Sequence, residues 1–104
     1  MATTPNVLAR TAAATSSATL YTVPNSSTTT IVTSIAVSNT TSTAGTFNIS
    51  IDSIPLATGV AIAANSTTFI DLRQVIPANA TPKLITGYAS ATSIYFHISG
   101  IELS

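Results

Sequence analysis

The sequence holds no cysteine and a single histidine, and only three of its 104 residues are basic and three acidic. Each shortage removes a class of function. Without cysteine there is no disulfide framework and no thiolate metal site, so stability rests on packing, and the fold is expected to survive reducing and oxidising surroundings alike. Arg10, Arg73 and Lys83 are the whole basic complement. They are too few to neutralise a run of phosphates, whose displaced counterions supply most nucleic-acid affinity, and this excludes a nucleic-acid partner. No apolar run approaches the roughly 18 residues of a membrane span. The N-terminus lacks the basic and apolar regions of a secretory signal, so membrane insertion and signal-led export are not expected.

Catalytic machinery is equally thin. His97 lies between Phe96 and Ile98, and strand alternation points it away from the face those two share. A general base needs a nucleophile and an orienting carboxylate about 3 Å away, whereas Asp52, Asp71 and Glu102 are the only carboxylates and no Gly-x-Ser-x-Gly elbow exists. His97 is therefore read as an outer-face or interface histidine. One imidazole with scattered carboxylates has no metal-ligand spacing. The four glycines are isolated and form no phosphate cradle. No catalytic residue, metal ligand or cofactor is assigned, and the protein is expected not to be an enzyme.

What the chain does contain is apolar and hydroxylated. Apolar residues make up 45% of it, charged residues only 6%, and serine and threonine together about a third. A soluble protein usually carries about a quarter charged residues, so this surface must be coated with uncharged side chains. Zero net charge removes the repulsion that keeps free proteins apart, and such a coat suits a fixed place in an assembly. A chain of this length buries roughly 65% of its unfolded surface, enough for one core.

The stretch from Thr30 to Asp52 organises the rest. Ile31, Ile35 and Val37 share one face of an alternating run, with Val32, Ser34 and Ala36 on the other, and Phe47, Ile49 and Ile51 alternate beyond a small-residue turn. The two runs read as a β-hairpin. Before them, Ala18 to Val23 is a strand closed by Pro24 and Asn25. After them, Pro55 marks an edge or turn, Val60 to Ala63 is a short strand, and Thr67 to Leu72 places Ile70 and Leu72 opposite Phe69. Leu84 to Ala89 follows a Pro-rich loop. In the last strand, Ile94, Phe96 and Ile98 give way to Ile101 and Leu103, a phase slip at Gly100 that reads as a bulge.

Seven or eight short strands with Pro, Asn and Gly breaks define an all-β, single-domain antiparallel β-sandwich or jelly roll. Its expected core is Ile31, Ile35, Val37, Phe47, Ile49, Ile51, Ile70, Leu72, Ile94, Phe96 and Ile98. Residues 18–104 form this domain. Residues 1–17 are expected to be an extended N-terminal arm outside it, whose Val7, Leu8 and Arg10 meet a partner: the apolar pair in a groove, the arginine on an acid.

Five asparagines, Asn25, Asn39, Asn48, Asn65 and Asn79, head Asn-x-Ser/Thr triplets. In a chain so rich in hydroxyl residues such triplets arise by chance, and four of the five sit where turns favour asparagine. The threonine clusters Thr28 to Thr30 and Thr40 to Thr43 lack the repeat period of an ordered hydroxyl array.

Leu20-Tyr21-Thr22-Val23-Pro24, followed by the run from Thr30 to Asn39, resembles small virion structural proteins of tailed bacteriophages. Ile62 to Thr67 and the ending Ser99-Gly100-Ile101-Glu102 extend the resemblance over most of the chain from Leu20 onward. Within that group, a free-standing domain of this length is most similar to capsid cement, or head decoration, proteins. The resemblance implies a role bridging neighbouring subunits of the major capsid protein, commonly as a homotrimer. It also implies a location on the virion capsid surface after synthesis in the host cytoplasm. The competing implication is a tail-tip or fibre module that binds a host receptor or carbohydrate, although aromatics at 6% leave few stacking platforms for sugars.

Overall fold

In the computed structural model, which describes residues 3–81 and 83–103, the alternating runs become eight strands. They are β1 (Thr3–Ala12), β2 (Ala18–Thr22), β3 (Thr29–Asn39), β4 (Gly45–Ile51), β5 (Ile54–Ile62), β6 (Ser66–Ile76), β7 (Leu84–Ala89) and β8 (Ile94–Leu103). Two four-stranded antiparallel sheets contain them, ordered β1-β8-β3-β6 in the first and β2-β7-β4-β5 in the second. In both sheets the ladders pair β1 with β8, β2 with β7, β3 with β6 and β4 with β5. The chain is thus one long ribbon, its first half laid antiparallel on its second, rolled so that successive strands alternate between sheets except at the fold-back, where β4 and β5 share the second sheet. The roll closes through β3 on β8 and β4 on β7. This is a jelly roll, one of the two architectures the sequence pattern allowed.

The strand order corrects the reading of Thr30 to Asp52 as a hairpin. β3 and β4 lie in different sheets and share no ladder. Each is an interior strand, and they face each other across the core. Alternation specifies one buried face per strand, and facing strands satisfy that as well as paired ones. Buried Asn39 fixes the crossing: its side-chain amide donates to the carbonyls of Thr43 at 2.9 Å and Ala63 at 3.3 Å, and its side-chain oxygen accepts from the Thr41 amide. The true hairpin of this region is β4–β5. Its two-residue turn, Asp52 and Ser53, has φ of 54° and 62°, the positive pair that suits the twist of the flanking strands.

The core contains Phe47, Phe96, Ile35, Ile49, Ile94 and Ile98, all fully buried, with Val37 and Ile51 beside them. Phe47 meets Phe96 edge to face, centroids 6.4 Å apart, joining the two sheets. Ile70 and Leu72 pack against this cluster while partly exposed. Ile31 does not belong to it. The register shifts between Val32 and Ser34 against both neighbouring strands: Thr33 is an extra residue against β8, while two residues of β6, Leu72 and Arg73, lie opposite it, and the phase of β3 inverts there, so that Val32 turns inward, fully buried, and Ile31 turns outward.

A second extra residue, Leu8, lies between Val7 and Ala9 on β1. This corrects the bulge expected at Gly100: β8 has none, and the extra residues lie in the strands on either side of it, Leu8 on β1 and Thr33 on β3. Gly100 itself stays in alternation and buried. A Cβ there would strike the Ile31 carbonyl and stand 3.0 Å from a Leu8 methyl, so glycine is what lets bulged β3 approach so closely.

Residues 3–12 are extended, as expected, but they are not an arm outside the sandwich. They form an edge strand of the first sheet along nearly the whole of β8, and Leu8, Ala9 and Ala13 are buried in the common core. The strand was illegible because its apolar group is short and its bulge breaks the alternation that would have announced it.

Candidate interaction surface

Of the three partner-facing residues expected from the sequence, the structure separates one from the other two. Leu8 is 7% exposed and packs inward, which corrects its assignment to a partner's groove. Val7 is 45% exposed on the outer face of the first sheet. Arg10 is exposed on the same face, directly opposite His97 of β8.

The ladders arrange that face in rows running across all four strands. One row is Arg10, His97, Ala36 and Phe69; a second, beyond the bulges, is Pro5, Ile101, Ile31 and Val75; a third, toward the other end, is Ala12, Tyr95, Ser38 and Thr67. The first ends on Phe69, 77% exposed, and the second on Val75, 60% exposed, both on the free edge strand β6. Tyr95 is 40% exposed between them and the β1 edge. A wide depression of about 530 Å³ opens at the β1 end of the second row, lined by Pro5, Val7, Thr33, Ser99 and Ile101. Around the opposite flank, Val75 shares a hollow of about 300 Å³ with Ile54 and Leu56 of β5. Scattered apolar residues are ordinary on a protein surface, but grouped ones mark places where something binds.

Three polar residues, Thr28, Thr30 and Asn39, are buried among the described residues, and several others build contacts between strands or turns. Tyr21 on β2 reaches across the gap between the sheets, its hydroxyl donating to Glu102 at 2.6 Å and lying 2.8 Å from the Thr30 hydroxyl. Asn6 donates to the other Glu102 oxygen at 2.9 Å. Burial, and then the hydrogen bond to Glu102, push the Tyr21 phenol up to about 12. Glu102 is thus held at one end of the sandwich, distant along β8 from His97. Asp52 pairs with Lys83 at 3.2 Å, both side chains partly solvated, a contact worth at most about 1 kcal/mol. Among the described residues no group of three or more histidine, cysteine or carboxylate residues is placed to hold a metal.

The triplet asparagines are builders of local structure. The Asn25 side-chain oxygen accepts from the Ser27 amide and from the hydroxyls of Ser27 and Thr28. That of Asn79 accepts from the Thr81 amide, and that of Asn48 from the Gly59 amide. Asn65 takes a φ of 51°, a conformation asparagine tolerates better than most residues.

No family model and no curated protein matches the chain. Among solved structures it is similar to a chain in the structure of infectious bursal disease virus Gx strain. That alignment covers 97% of this chain and 30% of the other, at 12% identity and a TM-score of 0.49.

Sequence reasoning missed the rows, because they exist only once the first and last strands pair. It also missed the Tyr21–Glu102 contact. Its one available signal was an acid set between Ile101 and Leu103 in a chain with so few acids.

Proposed function

We propose that the chain is a non-enzymatic virion structural protein, a capsid cement protein of a tailed bacteriophage that bridges neighbouring major capsid protein subunits as a homotrimer. The observation that carries this reading is the outer face of the first sheet. It presents Phe69, Val75, Tyr95 and Val7 in a coat where charge is scarce, and such a face is better served by a permanent neighbour than by water. The jelly roll supports the reading by analogy only, since the same architecture serves viral capsid domains, lectins and cupins. The resemblance of the segments from Leu20 onward to small phage virion proteins points the same way.

A tail-tip or fibre module is the second reading, favoured by one feature. Tyr95 and Phe69 are exposed on the outer face of the first sheet beside the paired hydroxyls of Ser38 and Thr67, 3.0 Å apart, a mixture of aromatic ring and hydroxyl that suits a carbohydrate surface.

The deciding experiment adds the purified protein to shells assembled from the major capsid protein of the same virus. Saturable co-sedimentation, with shells that then withstand higher temperature, is the expected result. Absence of shell binding together with retention on a glycan array would overturn the cement reading in favour of the second.

A further inference from the structure

On the reading that the protein works as a homo-oligomer, we infer where its copies meet: the β1 edge of one copy lies beside the β6 edge of the next, both in the same orientation, with Arg10 against Phe69 and Pro5 against Val75. The occupant of the β6 edge is thus a second copy of this chain.

The argument begins with strand direction. The first sheet has four antiparallel strands with β1 and β6 at its edges, so the two edge strands run in opposite directions. A neighbour set alongside without being turned over brings its β1 antiparallel to this copy's β6, the usual alternation of such a sheet. The contact is heterologous, between two different surfaces, the kind that builds a ring when each copy is rotated by a whole fraction of a turn from the last.

Register supplies the pairs. Arg10 and Phe69 end the same cross-strand row, as do Pro5 and Val75. A neighbour at the same height therefore sets the exposed Arg10 guanidinium beside an aromatic ring that is 77% exposed, a cation–π contact. It also sets Pro5, at the rim of one apolar hollow, against Val75, at the rim of the other. The alternative two-fold contact, β1 edge on β1 edge, brings Arg10 and His97 of one copy toward those of the other.

The dimensions fit. The molecule measures 45 × 22 × 18 Å, so a flank offers roughly 800 Å², the share per partner of a standard stable interface, whereas an end offers about half of that. Pro5 on β1 and the register breaks at Leu8 and at Leu72 to Arg73 interrupt any continuous backbone ladder between edges, so side chains carry the contact and open-ended sheet growth is blocked.

Sedimentation of the full chain across micromolar concentrations tests this. Wild type is expected to form a concentration-dependent oligomer. Arg10→Gln and Phe69→Ala should each raise the dissociation constant about two- to thirty-fold, and the double variant little more than either alone. Val75→Asp should leave monomers, while Tyr88→Ser, on the other sheet, should change nothing. Because Phe69 and Val75 are mostly solvated, the monomer's melting point should hold in these variants. An oligomer indifferent to them, additive effects of Arg10→Gln and Phe69→Ala, dissociation by Tyr88→Ser, or a wild type that stays monomeric would each overturn the inference. A monomer that still binds capsid shells would sink this contact and spare the cement reading; an oligomer with this contact that ignores shells would do the reverse.

Discussion

Leu8 and Val7 are adjacent in sequence, similar in chemistry and opposite in fate, so replacing each by alanine tests the bulge that separates them. Leu8 is 7% exposed and belongs to the core cluster, whereas Val7 is 45% exposed on the outer face. A buried leucine cut to alanine costs about 2 to 5 kcal/mol, depending on how far the surroundings collapse into the space. Leu8 sits on an edge strand with room to relax, so about 2 to 3 kcal/mol is expected. For a domain of this size each kcal/mol shifts the melting temperature by about 4 to 8 °C, which places Leu8→Ala about 8 to 24 °C below wild type. Val7→Ala loses little buried surface and should stay within about 0.5 kcal/mol. The assay is thermal and urea unfolding followed by circular dichroism, at concentrations where the protein is monomeric, because association would stabilise wild type by mass action. If Leu8→Ala melts with wild type, residues 3–12 are not a core strand and the first sheet ends at β8. If Val7→Ala falls as far as Leu8→Ala, the bulge is misplaced by one residue.

Phe96→Ala should cost about 3 to 5 kcal/mol, because the ring is fully buried and shares an edge-to-face contact with Phe47; against a total stability of about 5 to 15 kcal/mol, a variant melting within a couple of degrees of wild type would remove it from the core. The Tyr21 phenol, held up to about 12 against an ordinary 10.0, keeps its proton longer folded than unfolded. Its stabilising contribution is therefore complete below pH 10 and is lost as pH rises toward 12. Tyr21→Phe should be less stable at neutral pH and flatter across that window in urea melts, and an unchanged alkaline slope would mean the hydroxyl is not engaged with Glu102.

How much of this was legible in the chain follows from what each kind of order needs. Strand positions were readable because alternation is local: Leu84 to Ala89 was bounded from sequence to the residue, and Ile94, Phe96 and Ile98 were placed on the buried face of their strand. Which strand neighbours which is not local. The eight residues between Ile51 and Val60 and the eighty-six between Arg10 and His97 give the same absence of signal, yet both pairs of segments end up in contact. The two misreadings about the first sheet share one cause. An extra residue in a strand leaves composition almost untouched and shifts the meaning of alternation for everything beyond it, so the sequence pattern alone turns Ile31 inward and leaves residues 3–12 without a place in the sheet. Gly100 carries the clue, but as a consequence: the glycine is in β8 because its neighbours bulge toward it, and the chain alone does not say that the extra residues are in β1 and β3 and not in β8. The surface proposed for partners depends on these same bulges. Were Thr33 and Leu8 removed, alternation beyond them would invert, Ile31 would return to the core and the row from Pro5 to Val75 would no longer face outward. The bulges that hid the edge strand from the sequence also create the apolar row through which a second copy is proposed to dock.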